Sequence, residues 1–599
     1  MKNRKIYNIL LATALVLGGT SCSLEEYNPG GSDIEALMTT QNGFQMAINN
    51  CYFGLQRSFY GKQIYIELAE AGTDLWTAKQ NSNTNANFFK YAEGGSMSLN
   101  MAQSIWNSGY DGIGSCNLAL AQADKVVDWE SEDVKKATLA EAHFLRALYY
   151  YNLVETFGGV TLIMGKAESV DMAPGRVEPL EVYKTCIIPD LEYAAQYLPV
   201  SRPGEEGRAL RKSAKAYLVK AYLTTKEYGC DDYLQSAKTL ADELIRDCET
   251  GGAALGTYMY PTYADVFADA NNKENKESMF SIACGATYGS VNKWQNNLNW
   301  MEFYCNSYYF PAIEKTENGI KQWGGNVEGE FMPSKYLLDL YVQSNNSLDP
   351  RYAASFQTSW KANKGFTWSE DKIKEMDRTS AVTTSTELKV GDEAIRIIRP
   401  EEGDYTTLKA QKLSAPYMIV DLEDVYGADG KVKMTYTRKN DGKEGVNPFY
   451  YFYPSLSKFN TTNVVVSNWS KSRYGSNASI ITMRMAEIYL LAAEIDFHLT
   501  GGTNANSYIN KVRTRAGASP YNGTVDLQYI LDERARELAG ESTRWFDLKR
   551  TGKLTSEYLK RTNPDIGQYF LDNTHKVRPI PQAFTDVIEN GADYQNPNY

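Results

Sequence analysis

The segment 479–551 most constrains the fold of this chain, because it reads as three short helices joined by close turns. Apolar side chains recur at steps of three and four residues over 481–499, so they lie on one face of a helix. Gly501-Gly502 ends this helix, a second helix follows, and a third occupies 524–540 with Thr524 as its N-cap. Such helices form hairpins, which must stack on other structure to bury their apolar faces.

Further helical hairpins are predicted at 101–157 and 176–247. The helices at 208–227 and 233–246 begin about 25 residues apart, which is shorter than a tetratricopeptide repeat but has the same helix-turn-helix form. We therefore predict a mostly α-helical protein built on a tetratricopeptide-like scaffold of stacked hairpins.

The region 252–478 changes character, since glycine, asparagine, tyrosine and tryptophan become more frequent and helical periodicity fades. Asp429-Gly430 lies between short apolar runs, which is typical of a β-hairpin. The sequence therefore predicts a large, irregular cap with a few short strands, inserted into the helical scaffold.

The N-terminus has the pattern of a lipoprotein signal. Three basic residues precede the apolar run at 9–17, which is too short to span a bilayer comfortably, and small residues then lead to Cys22. This resembles a bacterial lipobox and predicts Cys22 as the lipidated first residue; the alternative is ordinary signal cleavage near Ser21. The predicted domains are a signal peptide at 1–21, a lipid-anchored linker at 22–32, the scaffold at 33–251 and 479–599, and the cap at 252–478.

The order of residues along the scaffold is also familiar. The runs RMAEIYLLAAE at 484–494, INKVRTRAG at 509–517 and LDERARELAGESTRWFDLKR at 531–550 resemble the closing signature of the SusD/RagB family. The segment 139–157 and the tail 577–599 are similar to that family too, although His143 stands where an arginine is common.

This resemblance implies an outer-membrane lipoprotein that needs no cofactor and captures a nutrient for a TonB-dependent transporter. It implies a location on the cell exterior, with the acidic stretch 23–26 similar to a surface-export tag. An oligosaccharide is the expected ligand, and a peptide is the alternative. Both partners, the transporter and the ligand, are expectations from the family.

Composition excludes several other classes of protein. The formal net charge is −11 and no basic tract occurs, so binding to nucleic acid is not expected. The eight cysteines form no CxxC pair and the three histidines lack metal-binding spacing. Asp421, Asp424 and Asp429 do not match a calcium loop. We therefore predict neither a metal nor a cofactor.

Two sets of carboxylates raise the possibility of glycoside hydrolysis, which uses a pair of acids. Glu487 and Glu494 share one helix face, as do Glu533, Glu537 and Glu541. Arginines are abundant in the same segments, so we predict that these acids hold the hairpins together and that the protein is not an enzyme. A surface glycosidase remains the rival interpretation.

Aromatic and amide side chains crowd one stretch of the cap, and aromatic rings suit the apolar faces of sugars. Amides between them can donate to and accept from hydroxyls. The family resemblance places a second wall of the site near residues 76–87. The predicted ligand-binding residues are Trp76, Asn81, Trp294, Trp300, Tyr304, Tyr308 and Trp323, with core packing as the alternative for each aromatic.

Overall fold

The structure, a computed structural model, describes a chain in which helices predominate and strands are short. The mostly α-helical architecture with helical hairpins is therefore confirmed. The described residues are 37–55, 59–60, 63–78, 86–94, 97–167, 169–284, 303–314, 329–439, 441–461, 464–466 and 474–599.

The N-terminal part of the scaffold contains seven main helices. They are α1 (Gln41–Gly54), α2 (Gln63–Glu70), α3 (Gln103–Gln122), α4 (Glu132–Phe157), α5 (Ile188–Tyr197), α6 (Arg211–Thr224) and α7 (Leu234–Glu249). The longest, α4, starts where the Ser131 hydroxyl accepts a hydrogen bond from the Val134 amide, as an N-cap does. It ends at Gly158, whose φ of 75° is a conformation that favours glycine.

The C-terminal part contains α8 (Met485–Thr500), α9 (Ala505–Arg515), α10 (Leu527–Leu538) and α11 (Arg544–Arg550). Two predicted boundaries are wrong. Helix α8 begins four residues later than the periodicity suggested, because Ile480–Arg484 is a strand. The N-cap of α10 is Asp526 instead of Thr524, and its side chain accepts from the Tyr529 amide at 2.7 Å.

The helices stack pairwise into the predicted scaffold. Helix α3 packs on α4 and α6 packs on α7, while α8 packs on both α7 and α9. The apolar residues between these helices belong to one continuous buried cluster that also extends into the cap. Burial of this shared surface stabilises the hairpins, since none of them could bury its own apolar face alone.

The cap is irregular, as predicted. Its longer helices are Tyr263–Phe267, Lys335–Leu340, Arg351–Ser355, Glu370–Glu375 and Tyr405–Gln411. Its largest sheet joins Ser359–Lys361, Glu393–Ile398 and Met418–Asp421. The remaining strands pair in twos: Trp76–Ala78 with Phe331–Pro333, Phe356–Gln357 with Ser455–Leu456, Phe366–Thr367 with Glu387–Leu388, Thr435–Thr437 with Glu444–Val446, and Val464–Val466 with Tyr474–Ser476.

The two ends of the cap meet in one antiparallel strand pair. Ser278–Ile282 lies beside Ile480–Arg484, with Ile282 opposite Ile480 and Ser278 opposite Arg484. A pairing between residues some 200 positions apart in the chain explains the late start of α8. The four residues before Met485 satisfy their backbone groups in this sheet, so they are extended instead of helical.

Six of the seven cysteines that follow Cys22 are buried. Their apolar surroundings suit a cysteine that acts as a small core side chain. No helix within the described ranges is both long enough and apolar enough to cross a membrane.

Candidate ligand-binding site

Trp76 lies in the interior of the protein, with none of its surface exposed. Its indole Nε1 donates to Glu70 Oε2 at 2.9 Å, and its ring lies 4.5 Å from that of Phe303. Burial raises the pKa of the Glu70 carboxyl to about 8, although the Thr543 amide and Trp76 both donate to it. Contact between Trp76 and a ligand would therefore need a rearrangement of the core, and it stays a prediction.

Tyr304 is buried as well, at 2% exposure, and the Tyr453 hydroxyl donates to its backbone carbonyl at 3.1 Å. It follows Phe303, which packs against both Trp76 and Phe331. The structure thus places Trp76, Phe303 and Phe331 in one aromatic layer, and Tyr304 is the buried residue that follows Phe303. Direct ligand contact by Tyr304 also remains untested.

Tyr308, in contrast, belongs to a stack of rings that reaches the surface. Tyr308 and Tyr309 lie 4.9 Å apart with nearly parallel planes, and Tyr309 lies 4.2 Å from Tyr451. Tyr450 adjoins Tyr451 at 4.0 Å, and Tyr309 is 44% exposed. We call these four residues the tyrosine platform. The Tyr308–Tyr309 and Tyr309–Tyr451 pairs are stacked, at 22° and 29° between ring planes, whereas Tyr450 is tilted by 36° against Tyr451.

Backbone contacts fix the tyrosine platform. Residues 307–309 form a single 3-10 turn, and the Asn306 amide nitrogen donates to the Tyr451 carbonyl at 3.2 Å. The Cys305 amide donates to Ser455 Oγ at 2.8 Å. These bonds hold the two chain segments side by side. The rings are therefore preorganised and need little ordering when a ligand arrives.

A buried amide lies next to the tyrosine platform. Asn306 has no exposed surface, and neither its Oδ1 nor its Nδ2 has a hydrogen-bond partner within the described ranges. Buried amides are rarely left in this state unless water or a ligand supplies the partner. Asn306, whose backbone nitrogen donates to the Tyr451 carbonyl, is therefore a buried amide beside the platform that could bind a polar atom.

Several predicted site residues lie outside the described residues. These are Asn81, Trp294, Trp300, Trp323 and the predicted lipidation site Cys22. Their roles remain predictions.

The carboxylates that suggested hydrolysis are buried and paired with arginines. Glu533 accepts from Arg351 at 2.8 Å and from Arg513 at 2.9 Å, with Arg536 as a third partner. Glu537 lies one helical turn after Glu533. Its burial raises the pKa of the carboxyl, but three nearby arginines outweigh that effect and lower the pKa to about 2. These acids are held ionised by fixed cations, so they do not resemble the acid and base pair of a glycosidase.

The second candidate pair, Glu487 and Glu494, is also bound by cationic side chains. Glu487 accepts from Lys220 at 3.1 Å and from Arg534 at 3.0 Å. Glu494 forms a two-bond pair with Arg550, at 2.8 and 2.7 Å. The prediction that these acids hold the hairpins together is confirmed by their contacts, because each joins side chains from different helices.

The acidic residues near position 424 contact other groups of the protein. Lys412 pairs with Asp424, and Asp421 caps the short helix that follows it. Across the described part of the chain, no three His, Cys, Asp or Glu side chains are grouped so that they could hold a metal ion.

Comparison with known families decides the relationship of the chain. The profile described as "SusD family" matches residues 276–599, and one described as "Starch-binding associating with outer membrane" matches residues 31–223. The chain belongs to the SusD family. The resemblance noted in the sequence is therefore confirmed.

Individual SusD relatives match over nearly their whole length. A SusD-like protein P2 from Formosa agariphila is 26% identical over 611 residues, covering 97% of each chain. Among solved structures, a laminarin-binding SusD-like protein has a TM-score of 0.62 at 22% identity, covering 94% of this chain and 100% of that one. Surface glycan-binding protein A from Bacteroides thetaiotaomicron, in complex with laminarihexaose, gives 0.60 at 19% identity. These structures share the SusD fold with this chain.

Two residues of the tyrosine platform in this SusD-family chain were not predicted from the sequence. Tyr450 and Tyr451 lie in the aromatic run FYYFY at 449–453, a signal as dense as the one around Tyr308. Only the contact with Tyr309, some 140 residues earlier, distinguishes Tyr451 from its core-facing neighbours Phe449 and Phe452.

Proposed function

We propose that this protein is a non-catalytic surface lipoprotein that captures an oligosaccharide and delivers it to a TonB-dependent outer-membrane transporter. The single observation that carries the proposal is the tyrosine platform, a stack of rings on the cap of a SusD-family chain that reaches the surface at Tyr309. Relatives with the same fold include a laminarin-binding protein and a surface glycan-binding protein that holds laminarihexaose.

The chemistry of the tyrosine platform suits a sugar chain. A pyranose ring has an apolar face of C–H groups, and that face packs on an aromatic ring without losing hydrogen bonds. The phenol hydroxyls at the edge of the platform can donate to and accept from sugar hydroxyls. Tyr309 is the most exposed ring, and the partly exposed rings of Tyr308 and Tyr451 beside it extend the surface that a sugar chain could contact.

The absence of a chemical step is part of the proposal and is supported by the ion pairs. The five carboxylates that could form a hydrolytic pair are each bound by at least one cationic side chain inside the protein. Freeing one would leave the opposite charge unpaired in the interior, which is strongly unfavourable.

The anchor and the transporter complete the proposal. Cys22 would carry the lipid, and the linker 22–32, rich in glycine and polar residues, would let the body stand off the membrane. The support is the N-terminal sequence pattern and the family description, which names association with the outer membrane. Co-purification of the native protein with a membrane barrel would test this part directly.

The test of capture is binding of the mature protein to a panel of polysaccharides and peptides by affinity electrophoresis and calorimetry. Tyr309→Ala removes the most exposed platform ring, whereas Tyr258→Ala removes a tyrosine that is 36% exposed elsewhere on the surface. We expect a glycan to bind the wild type and the Tyr258 variant and to bind the Tyr309 variant weakly. Binding to no glycan, or release of shortened products on incubation, would contradict the proposal; binding to peptides alone would favour the alternative ligand.

A further inference from the structure

Arg578, in the C-terminal tail, is a buried arginine that has no carboxylate partner among the described residues. None of its surface is exposed, and neither its Nε nor its Nη1 makes a hydrogen bond to any of them. Its Nη2 reaches only the carbonyl of Leu68, at 3.5 Å. Arg351 and Arg544 are also buried, yet each forms a two-bond pair with an aspartate. A buried charge without a partner is strongly unfavourable, so Arg578 requires an explanation.

Three aromatic rings surround the guanidinium of Arg578. Its central carbon lies 4.8 Å from the ring centre of Trp545, 5.5 Å from that of Phe88 and 5.6 Å from that of Tyr91. Such cation–π contacts offset part of the cost of burying the charge. The ring faces accept only weak hydrogen bonds, so they do not satisfy Nε and Nη1.

A second unused donor lies beside Arg578. The indole Nε1 of Trp545 is buried and also has no hydrogen-bond partner within the described ranges. Burial raises the pKa of the Tyr91 phenol to about 12, and Arg578 and Trp545, which face its oxygen, act in the opposite direction. The Tyr91 hydroxyl itself donates to the Gly72 carbonyl at 2.7 Å. Donors from helix α11 and from the tail therefore converge on one point, and an acceptor is what they lack.

The titratable side chains around Arg578 do not supply the missing negative charge. In the part of the chain that the structure describes, those that act on it are Tyr91, Tyr599 and His575. Burial raises the pKa of the Tyr599 phenol above its usual range. Burial, together with the nearby guanidinium, lowers the pKa of His575 to about 4. All three side chains are therefore uncharged near pH 7, and one positive charge stays uncompensated.

We propose that Arg578 and Trp545 form a buried site for one small monovalent anion, such as chloride. The ion would accept hydrogen bonds from Arg578 Nε and Nη1 and from Trp545 Nε1. A water molecule could satisfy the same donors, but it would leave the guanidinium charge unpaired. The surrounding side chains, including Phe88 and Tyr91, are at most 5% exposed, so a halide, which is close in size to water, fits better than sulfate or an organic acid. The site needs neither a glycan nor the transporter, so it goes beyond the function proposed above.

The test is urea unfolding of the mature protein at constant ionic strength, with sodium gluconate, whose anion is too large for the site, exchanged stepwise for sodium chloride. An ion that binds only the folded state stabilises it by mass action. Above its Kd, the unfolding equilibrium constant should therefore fall about tenfold for each tenfold rise in chloride. Arg578→Met should abolish this dependence, whereas Arg561→Met, at an exposed position, should keep it. Trp545→Phe keeps an aromatic ring but removes one donor, so it should need more chloride for the same effect.

Crystals grown in sodium bromide give an independent measurement, because bromide scatters X-rays anomalously. We expect an anomalous peak within hydrogen-bond distance of Arg578 and Trp545 in the wild type and none in Arg578→Met. The inference is overturned if the wild type shows no chloride dependence, if Arg578→Met folds and keeps it, or if Trp545→Phe responds as the wild type does. A water molecule at this point, without an anomalous peak, would overturn it as well.

Discussion

Arg544 and Asp74 form a two-bond ion pair inside the protein, with Nε to Oδ1 at 2.8 Å and Nη2 to Oδ2 at 2.6 Å. The pair joins helix α11 to the segment that leads into Trp76, some 470 residues earlier in the chain. Neither side chain is exposed by more than 2%. This contact fixes the aromatic layer of the cap to the C-terminal scaffold.

We expect Arg544→Ala to lower the free energy of unfolding by about 3–5 kcal/mol, because it leaves the Asp74 charge buried without its cation. Replacing both residues with apolar ones, Arg544→Met with Asp74→Leu, should restore much of the loss. Urea unfolding measures both effects. Lys335→Ala is the control, since it breaks an exposed pair with Asp339 and should cost less than about 1 kcal/mol. Equal losses for Arg544→Ala and Lys335→Ala would refute the expectation.

The Glu70 carboxyl predicts a dependence of stability on pH. Burial raises its pKa in the folded state to about 8 from 4.5, so between these values the folded protein binds more protons than the unfolded chain. This group's contribution to stability is therefore lost as the pH rises through that window, at about 1.4 kcal/mol per pH unit.

Glu70→Gln should remove this slope, because an amide does not titrate. The variant should be less stable than the wild type at pH 5, since Trp76 and Thr543 donate to different oxygens of Glu70 and the NH2 group of glutamine would face one of these donors. The difference should shrink by pH 8. Urea unfolding at several pH values provides the measurement, and identical slopes in the two proteins would show that Glu70 does not titrate in this range.

For Glu537 we expect the opposite dependence: its contribution to stability falls as the solution becomes more acidic. Although its burial opposes ionisation, Arg515, Arg484 and Arg351 lower its pKa to about 2. Its contribution to stability is present above pH 4.5 and is lost as the pH falls from there toward 2. Glu537→Gln should be destabilised by about 3–5 kcal/mol at pH 7 and should lose less stability on acidification than the wild type. A variant that unfolds along the same acid profile as the wild type would argue against this assignment.

Within the tyrosine platform, stacking and hydrogen bonding can be separated. Tyr451→Ala removes a ring that contacts Tyr309 and Tyr450, so glycan affinity should fall about tenfold, as expected for the loss of one stacking contact. Tyr451→Phe keeps the ring and should retain most of the affinity. Calorimetry with the glycan identified in the panel gives both values. Equal losses in the two variants would show that the hydroxyl, not the ring, makes the contact.

The scaffold could be predicted well from the sequence, because the spacing of apolar residues within a short segment is enough to predict a helix. The apolar positions Met485, Ile488, Ala492 and Ile495 are all buried, as their spacing required, whereas Leu499 at the end of the same stripe is 39% exposed. The start of that helix could not be predicted, since the strand before it depends on a partner some 200 residues away. The N-cap of α10 was misplaced by two residues because threonine and aspartate are both good caps.

The site was harder to predict, for a physical reason. Trp76 and Tyr309 are both aromatic residues, yet one is fully buried against Phe303 and the other is 44% exposed. Aromatic side chains serve equally as core and as binding surface, so composition cannot separate the two roles. The platform depends on contacts between distant segments, which no local pattern encodes.

The strand pair Ser278–Ile282 and Ile480–Arg484 has a consequence for engineering. The chain departs from the scaffold and comes back at neighbouring strands, about 5 Å apart. The segment between those two strands therefore leaves and rejoins the helices at one place, while its Arg351 also pairs with the buried Glu533 and Glu537 of α10. A cap grafted from another SusD-family protein at these two strands would have to supply a cation for those two carboxylates, or the helical frame would lose stability.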